Sequence, residues 1–252
     1  LGLLRWYGLM YIFAFGTAYF ILSKLRKEGE LDSPGQTTTD DDLFSFFGFG
    51  VLFLLLGARI FSALVYDTSG LYRQKPWLIF WPFNEAGQFT GLAGMSFHGG
   101  VIGGLLGMVI WCLTHKRPLW KWIDAMAVAI PLGYTFGRIG NFLNGELYGR
   151  ITTMPWGVVF PDAEKFSSSL PWVKEIAAKI GMNISNMSLV NLPRHPSQLY
   201  EAFFEGIVFW AIIWLCIKHK KFDGTLACIY TGCYGIFRFI IEYFREPDAD
   251  IG

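Results

Sequence analysis

Charge is scarce in this chain: Asp, Glu, Lys and Arg make up 16% of its 252 residues, against about 25% in an ordinary soluble domain. That scarcity excludes a disordered chain and a nucleic-acid-binding one, since both depend on charge. The formal net charge is only +1, so the whole-chain sum points to no partner. Cysteine is scarce as well. Cys112, Cys216, Cys228 and Cys233 lie in apolar stretches with no C-x-x-C pair and no Cys/His ligand spacing. Neither a disulfide framework nor a metal site is expected from them, and they read as buried, reduced packing groups. There is no repeat of fixed period and no low-complexity run, which excludes solenoid and collagen-like architectures. No G-x-S-x-G elbow occurs, and nothing calls for a cofactor. The first residue is Leu1, so a removed signal or a trimmed end stays open.

What is abundant is apolar surface. Hydrophobic residues reach 53% and aromatics 18%, with 29 Gly and a mean hydropathy of +0.37. Only lipid or other apolar helices hide that much, so the fold class expected is an all-α integral membrane bundle. Six apolar stretches run at about 6–22, 43–65, 93–113, 122–144, 197–217 and 224–245, each long enough for a crossing of about 20 residues. Three short joints, SKLRKEGELD (23–32), THKRPLWK (114–121) and KHKK (218–221), hold nine of the 21 basic residues. They follow the first, third and fifth stretches. The positive-inside pattern places them in the cytoplasm and the start of the chain outside. The long connections at about 66–92 and 146–194 then face outward. PWLIFWPF (76–83) reads as an interfacial segment carrying Trp77 and Trp81, and 169–183 as a short amphipathic helix within an outward subdomain spanning 146–194. Gly99, Gly103 and Gly107 recur every four residues, as do Gly133 and Gly137, a spacing that lets helix backbones approach closely.

Ionisable groups inside the apolar stretches carry the chemistry, because a central charge costs about 2.5–3.5 kcal/mol on insertion scales and survives where it faces a cavity or a partner. Arg59, Arg138, Arg238, His98 and Glu242 qualify. At about 1.5 Å rise per residue, Arg59 and Arg138 lie about 24 Å from the inner face, His98 about 22 Å and Arg238 about 21 Å. Four helices thus offer polar groups at one depth in the outer half. Tyr234, Arg238, Glu242 and Arg245 form one helical stripe, and Arg138, Asn141, Asn144 and Glu146 another. A structural account, in which Arg238 pairs with Glu242 and the asparagines bind Arg138, serves any one residue equally well. The set as a whole suits an anionic phospholipid headgroup, since guanidinium donors match phosphate oxygens in a fork. His98 alone among them has an ordinary pKa near neutrality and is the natural proton acceptor.

These residues fall in a recognisable order. GRIGNFLNGELYGR (137–150) resembles the signature of the bacterial prolipoprotein diacylglyceryl transferases, and RWYGLMY (5–11), MSFHGG (95–100), LPRHPSQLYE (192–201) and YGIFRFIIEYFREPD (234–248) resemble that family's other blocks. The resemblance covers nearly the whole chain. It implies a single transmembrane transferase domain over 1–252 that moves the diacylglyceryl group of phosphatidylglycerol onto the thiol of a lipobox cysteine in a prolipoprotein signal peptide. Glycerol phosphate is released and the new bond is a thioether. It implies functional roles for Tyr7, His98, Arg138, Asn141, Asn144, Tyr234 and Arg238, with Glu146, Gly149 and Glu242 in support. It also implies a bacterial inner-membrane enzyme with its site toward the outer leaflet; one chain holds a complete set of site residues, so a monomer is expected. Members of that family continue into a seventh helix, whereas this chain stops at Gly252 just after the sixth stretch, so either the end is missing or the protein is shorter. The reading from another class is a transporter or flippase for phospholipid or another anionic substrate, with Arg and His lining a path; its polar residues should extend through the full depth, whereas here the inner halves of the helices are almost uncharged.

Overall fold

Six helices of 18 residues or more are present among the described residues, which in this computed structural model are 6–68, 70–83, 87 and 94–247, the Tyr7 side chain excepted. Five are α1 (Trp6–Lys27), α2 (Asp40–Val65), α4 (Phe97–Thr114), α5 (Leu119–Asn144) and α9 (Thr225–Glu242). The sixth runs from Ser197 to His219 and is composite: α7 (Ser197–Glu201), a π-helical segment over Ala202–Val208, α8 (Phe209–Cys216) and a closing 3₁₀ turn. Short elements fill the connections: α3 (Leu71–Gln74), a 3₁₀ turn at Pro76–Ile79, α6 (Pro171–Lys179), and strands β1 (Phe166–Ser167) and β2 (Leu189–Val190), which pair antiparallel. Four helices are long and apolar enough to cross a membrane: Gly8–Lys27, Asp40–Val65, Phe97–Thr114 and Ser197–His219. α5 and α9, which carry Arg138, Arg238 and Glu242, are outside that set. The all-helical membrane class is supported, with four candidate crossings by length and composition among the described residues.

Helix ends shift from the expected bounds for local reasons. α2 starts three residues early because Thr39 and Asp42 close a capping box, the Thr39 hydroxyl accepting from the Asp42 amide while Asp42 accepts from the Thr39 amide. α1 runs on to Lys27 because Lys24, Arg26 and Lys27 fall in its last turn, where cations meet the negative end of the helix dipole. α4 begins at Phe97 rather than at 93, with Ser96 as its cap accepting from Gly99; Ala93 itself is outside the described residues.

The chain divides into two compact units, 22–123 and 1–21 with 124–252. In the first, α2 and α4 pack backbone to backbone. A Cβ on Gly103 would collide with the Phe53 carbonyl, and one on Gly57 with the Gly99 carbonyl; Gly99 and Gly107 are blocked in the same way. The expected role of the four-residue glycine spacing therefore holds on α4. Phe46, Trp111 and Trp122, all buried, stack at ring separations of 4.4–5.1 Å near the other end of this pair. In the second unit, Gly133 approaches Ala14 of α1, whereas a Cβ on Gly137 would meet nothing within 4 Å. The spacing expectation fails at Gly137. Buried Asp124 caps α9 from a distance in sequence, accepting from the Gly224 and Ala227 amides at 2.8 and 2.9 Å. Residues 146–194 include the expected amphipathic helix, α6, whose Val173 packs with Val190 and Leu192 beneath Ile151, Phe166, Leu170 and Ile176.

Candidate active site

The site in the second unit is built around a carboxylate. Glu201, the last residue of α7, is fully buried. One of its oxygens pairs with Arg138 Nε at 3.0 Å and with Arg238 Nη1 at 3.5 Å, and the same oxygen accepts from the Tyr134 hydroxyl at 3.0 Å. Tyr134 Oη also lies 2.6 Å from Glu205, and the Arg138 guanidinium sits over the Tyr134 ring, 4.7 Å from its centre. Arg238 reaches forward on its own helix to Glu242 at 2.8 Å, and Arg138 Nη1 reaches Asn141 at 3.5 Å. Three helices thus contribute: α5 with Tyr134, Arg138 and Asn141, the composite helix with Glu201 and Glu205, and α9 with Arg238 and Glu242.

The local backbone explains why these groups meet. Gly206 allows the composite helix to come so close to α5 that a Cβ there would overlap Thr135. Thr135 in turn donates to the Ala202 carbonyl at 3.2 Å, inside the π-helical segment where the α-helical ladder is displaced. Such segments concentrate at functional sites because they re-aim side chains, and here Glu201 and Glu205 flank its first turn. Taking ions out of water costs several kcal/mol each, which mutual attraction repays only with good geometry. A buried cluster of this kind is therefore a weak source of stability.

Above α5 the chain turns through Gly145 and Leu147, both at positive φ, 69° and 54°. Leu147 is the unusual one, since a branched residue rarely adopts that conformation. Side chains from α7 hold the turn: Ser197 donates to the Leu147 carbonyl at 3.2 Å and Gln198 to the Glu146 carbonyl at 2.6 Å. Glu146 accepts from Asn141 at 2.8 Å, and burial raises its pKa above the ordinary carboxyl value. Gly149 is required by space. Its amide donates to the His195 carbonyl at 2.8 Å, and a Cβ would strike the Phe244 carbonyl and His195. It also bridges to Arg245, whose carbonyl accepts from Arg150 Nε at 2.9 Å. Arg194, buried, clamps the same knot, stacked on Tyr148 and paired with Glu246 at 3.0 Å.

The structure therefore gathers Arg138, Arg238, Glu242, Asn141 and Glu146 into one network and makes Gly149 and Arg245 part of the backbone knot above it. Tyr234 lies one turn before Arg238 on α9, partly exposed, its ring stacked with Tyr230 at 6.2 Å. Asn144 is exposed at the end of α5. The Tyr7 side chain is outside the described residues. Arg59 and His98 belong to the other unit. Arg59 is buried and fastens the connection after α2, donating to the carbonyls of Ile79 and Gly94 and to the Tyr72 hydroxyl. These contacts give Arg59 the partners that a charge inside an apolar stretch needs. His98 is exposed in the first turn of α4, its Nδ1 3.4 Å from the Tyr66 hydroxyl.

Tyr134, Glu201, Glu205 and Gln198 were missed by the sequence reading. A signal existed for two of them: Glu201 and Glu205 lie inside the apolar stretch 197–217 and meet the same criterion that picked out Arg138 and Arg238.

Comparison with known proteins adds an independent line. A profile of the prolipoprotein diacylglyceryl transferase family matches residues 2–251. The phosphatidylglycerol–prolipoprotein diacylglyceryl transferase of Treponema denticola is 53% identical over 263 residues, an alignment covering 100% of this chain and 78% of that protein. The protein of the same name from Treponema pallidum is 52% identical over 256 residues, covering 98% and 77%. That from Borreliella burgdorferi strain B31 is 41% identical over 258 residues, covering 99% and 76%.

Proposed function

Because the chain belongs to the prolipoprotein diacylglyceryl transferase family, we propose that it transfers the diacylglyceryl group of phosphatidylglycerol to the lipobox cysteine of prolipoproteins. The observation that carries this reading to particular residues is the pair of arginines, Arg138 and Arg238, held on one buried carboxylate. In the reaction the cysteine sulfur attacks the glycerol carbon that bears the phosphate. A C–S bond forms, the C–O bond breaks, and its electron pair leaves on the phosphate oxygen of glycerol phosphate. Guanidinium donors stabilise the negative charge that grows on that oxygen. The thiol, with an ordinary pKa of about 8.5, must lose its proton for the sulfur to attack. His98 is assigned as the acceptor, with the Tyr66 hydroxyl at its Nδ1. Asn141 and Glu146 hold the turn beside Arg138, and Tyr234 and Asn144 are assigned to substrate contact. Tyr7 keeps the role that the family resemblance implies, while Arg59 anchors the connection that follows α2.

The same reading makes the protein an inner-membrane enzyme of six crossings, α5 and α9 included, working as one transferase domain and as a monomer. The arginine layer faces the outer leaflet and 146–194 forms the outward subdomain. The test is a mass measurement: purified protein, phosphatidylglycerol and a lipobox peptide are incubated together. A diacylglyceryl increment on the peptide, absent when its cysteine is serine, is expected. An unmodified peptide, with labelled phospholipid instead moving between leaflets in reconstituted vesicles, would favour the flippase reading.

A further inference from the structure

We infer that Glu201 is a positioning residue that also sets the charge preference of the site. Fixed between Arg138 and Arg238, it cancels one of their two positive charges; once Glu242 leaves Arg238 to an incoming phosphate, the one net positive charge that remains matches a phosphodiester monoanion and disfavours a phosphate monoester dianion. The inference rests on the transfer reaction proposed above, whose substrate phosphate is a diester and whose released phosphate is a monoester.

Three observations support it. First, the contact is shared and buried: a single Glu201 oxygen meets Arg138 Nε, Arg238 Nη1 and the Tyr134 hydroxyl, and the residue is 0% exposed. No water competes for it. Both guanidinium groups are held by one anchor, at 18% and 26% side-chain exposure, so donors remain toward the open side. Second, the neighbouring carboxyl is accounted for by hydrogen count. Tyr134 has one hydroxyl hydrogen and lies within hydrogen-bond reach of Glu201 and Glu205, at 3.0 and 2.6 Å. One carboxyl must supply a hydrogen of its own. Glu201 faces two guanidiniums, so it is the carboxylate and Glu205 brings the hydrogen; the second oxygen of each is buried without a hydrogen-bond partner among the described residues. Third, Glu242, the remaining acid, is 49% exposed at its side chain and pairs with Arg238 across one helical turn. The inference requires it to leave Arg238 when a phosphate binds, and its exposure lets water take it up.

The consequence concerns turnover. A phosphate monoester carries about −1.5 to −2 at neutral pH, its second pKa being about 6, and such an ion leaves charge uncompensated beside these partly buried guanidiniums. The substrate diester does not. Glu201 thus favours substrate over released product.

The test uses the full chain in detergent micelles and measures binding of short-chain phosphatidylglycerol and short-chain phosphatidic acid by calorimetry. In the unaltered protein the affinity of phosphatidic acid relative to phosphatidylglycerol should fall at least about threefold between about pH 5 and about pH 8, as the monoester takes its second charge. Glu201→Gln should reverse the preference, raising that ratio at least about tenfold at about pH 8, with tighter inhibition by glycerol phosphate, while Glu201→Asp should keep the original pattern. A ratio in the unaltered protein that does not fall with pH overturns the inference whether or not the Gln variant folds, and so does a Gln variant with an unaltered ratio. An intact charge preference with no adduct on a lipobox peptide would support charge matching and sink the transfer reading alone.

Discussion

Arg138 makes three kinds of contact that no single point charge reproduces: an Nε pair with Glu201, a long Nη1 contact to Asn141, and a guanidinium placed over the Tyr134 ring. Lysine would keep the charge and lose the geometry. Arg138→Lys is therefore expected to lower transfer by about 10²–10³-fold, the usual loss when one preorganised donor to a developing oxyanion is removed; steady-state turnover of a lipobox peptide checks it. Sequence made Arg138 and Arg238 visible because charges inside apolar stretches stand out. It did not make Tyr134 visible, since tyrosine is unremarkable in such a stretch and its value lies in which two carboxyls its hydroxyl reaches. The alternative pairing of Arg238 with Glu242 turned out to be present, and so did a weak Arg138–Asn141 contact. Structural engagement is thus present in these residues, and the ligand-binding role proposed for them is compatible with it.

At the scale of elements, the glycines of α4 and the knot after α5 are the features on which the account depends. Gly103→Ala places a methyl against the Phe53 carbonyl of α2, where the backbone cannot yield. Destabilisation of about 1–3 kcal/mol is expected, as for other overpacked sites, and Gly137→Ala, which meets nothing, should be close to neutral. Thermal unfolding in detergent compares the two. Sequence spacing treated the three glycines of α4 and the two of α5 alike because a period of four residues marks a helix face and not what lies opposite it. In the knot, His195 is partly buried, and this lowers its pKa below the ordinary value. Its Nδ1 meets the Tyr200 hydroxyl at 3.1 Å, and that hydroxyl accepts from Trp156 at 2.7 Å. In the unfolded chain His195 takes up a proton near pH 6.5, while the folded knot resists it. The unfolded state therefore binds more protons, and the contribution to stability is present above about pH 6.5 and lost as pH falls toward the lowered folded value. Limited proteolysis of 146–196 should accelerate from about pH 7.5 to about pH 5, and His195→Asn should remove most of that dependence. An unchanged cleavage rate would show that this contact does not hold the knot.

For the whole molecule, the alternation of basic joints predicts orientation. A cysteine introduced at Ser185 should react with a membrane-impermeant maleimide in intact spheroplasts, and one at Lys221 only after lysis; the reverse would invert the topology. The helical class was legible in the sequence, because long apolar stretches are written in composition. The composite helix was not. Its π-helical turn over Ala202–Val208 has no composition of its own and is set by how closely Gly206 lets α5 approach. The central claim is that this chain moves a diacylglyceryl group to a cysteine sulfur. Phosphatidylglycerol deuterated in its diacylglyceryl glycerol tests it most directly, with peptide mass and released glycerol phosphate measured in the same reaction. One labelled diacylglyceryl group on the peptide sulfur per glycerol phosphate released is the result predicted. Unlabelled peptide, or glycerol phosphate released without a peptide adduct, would contradict it.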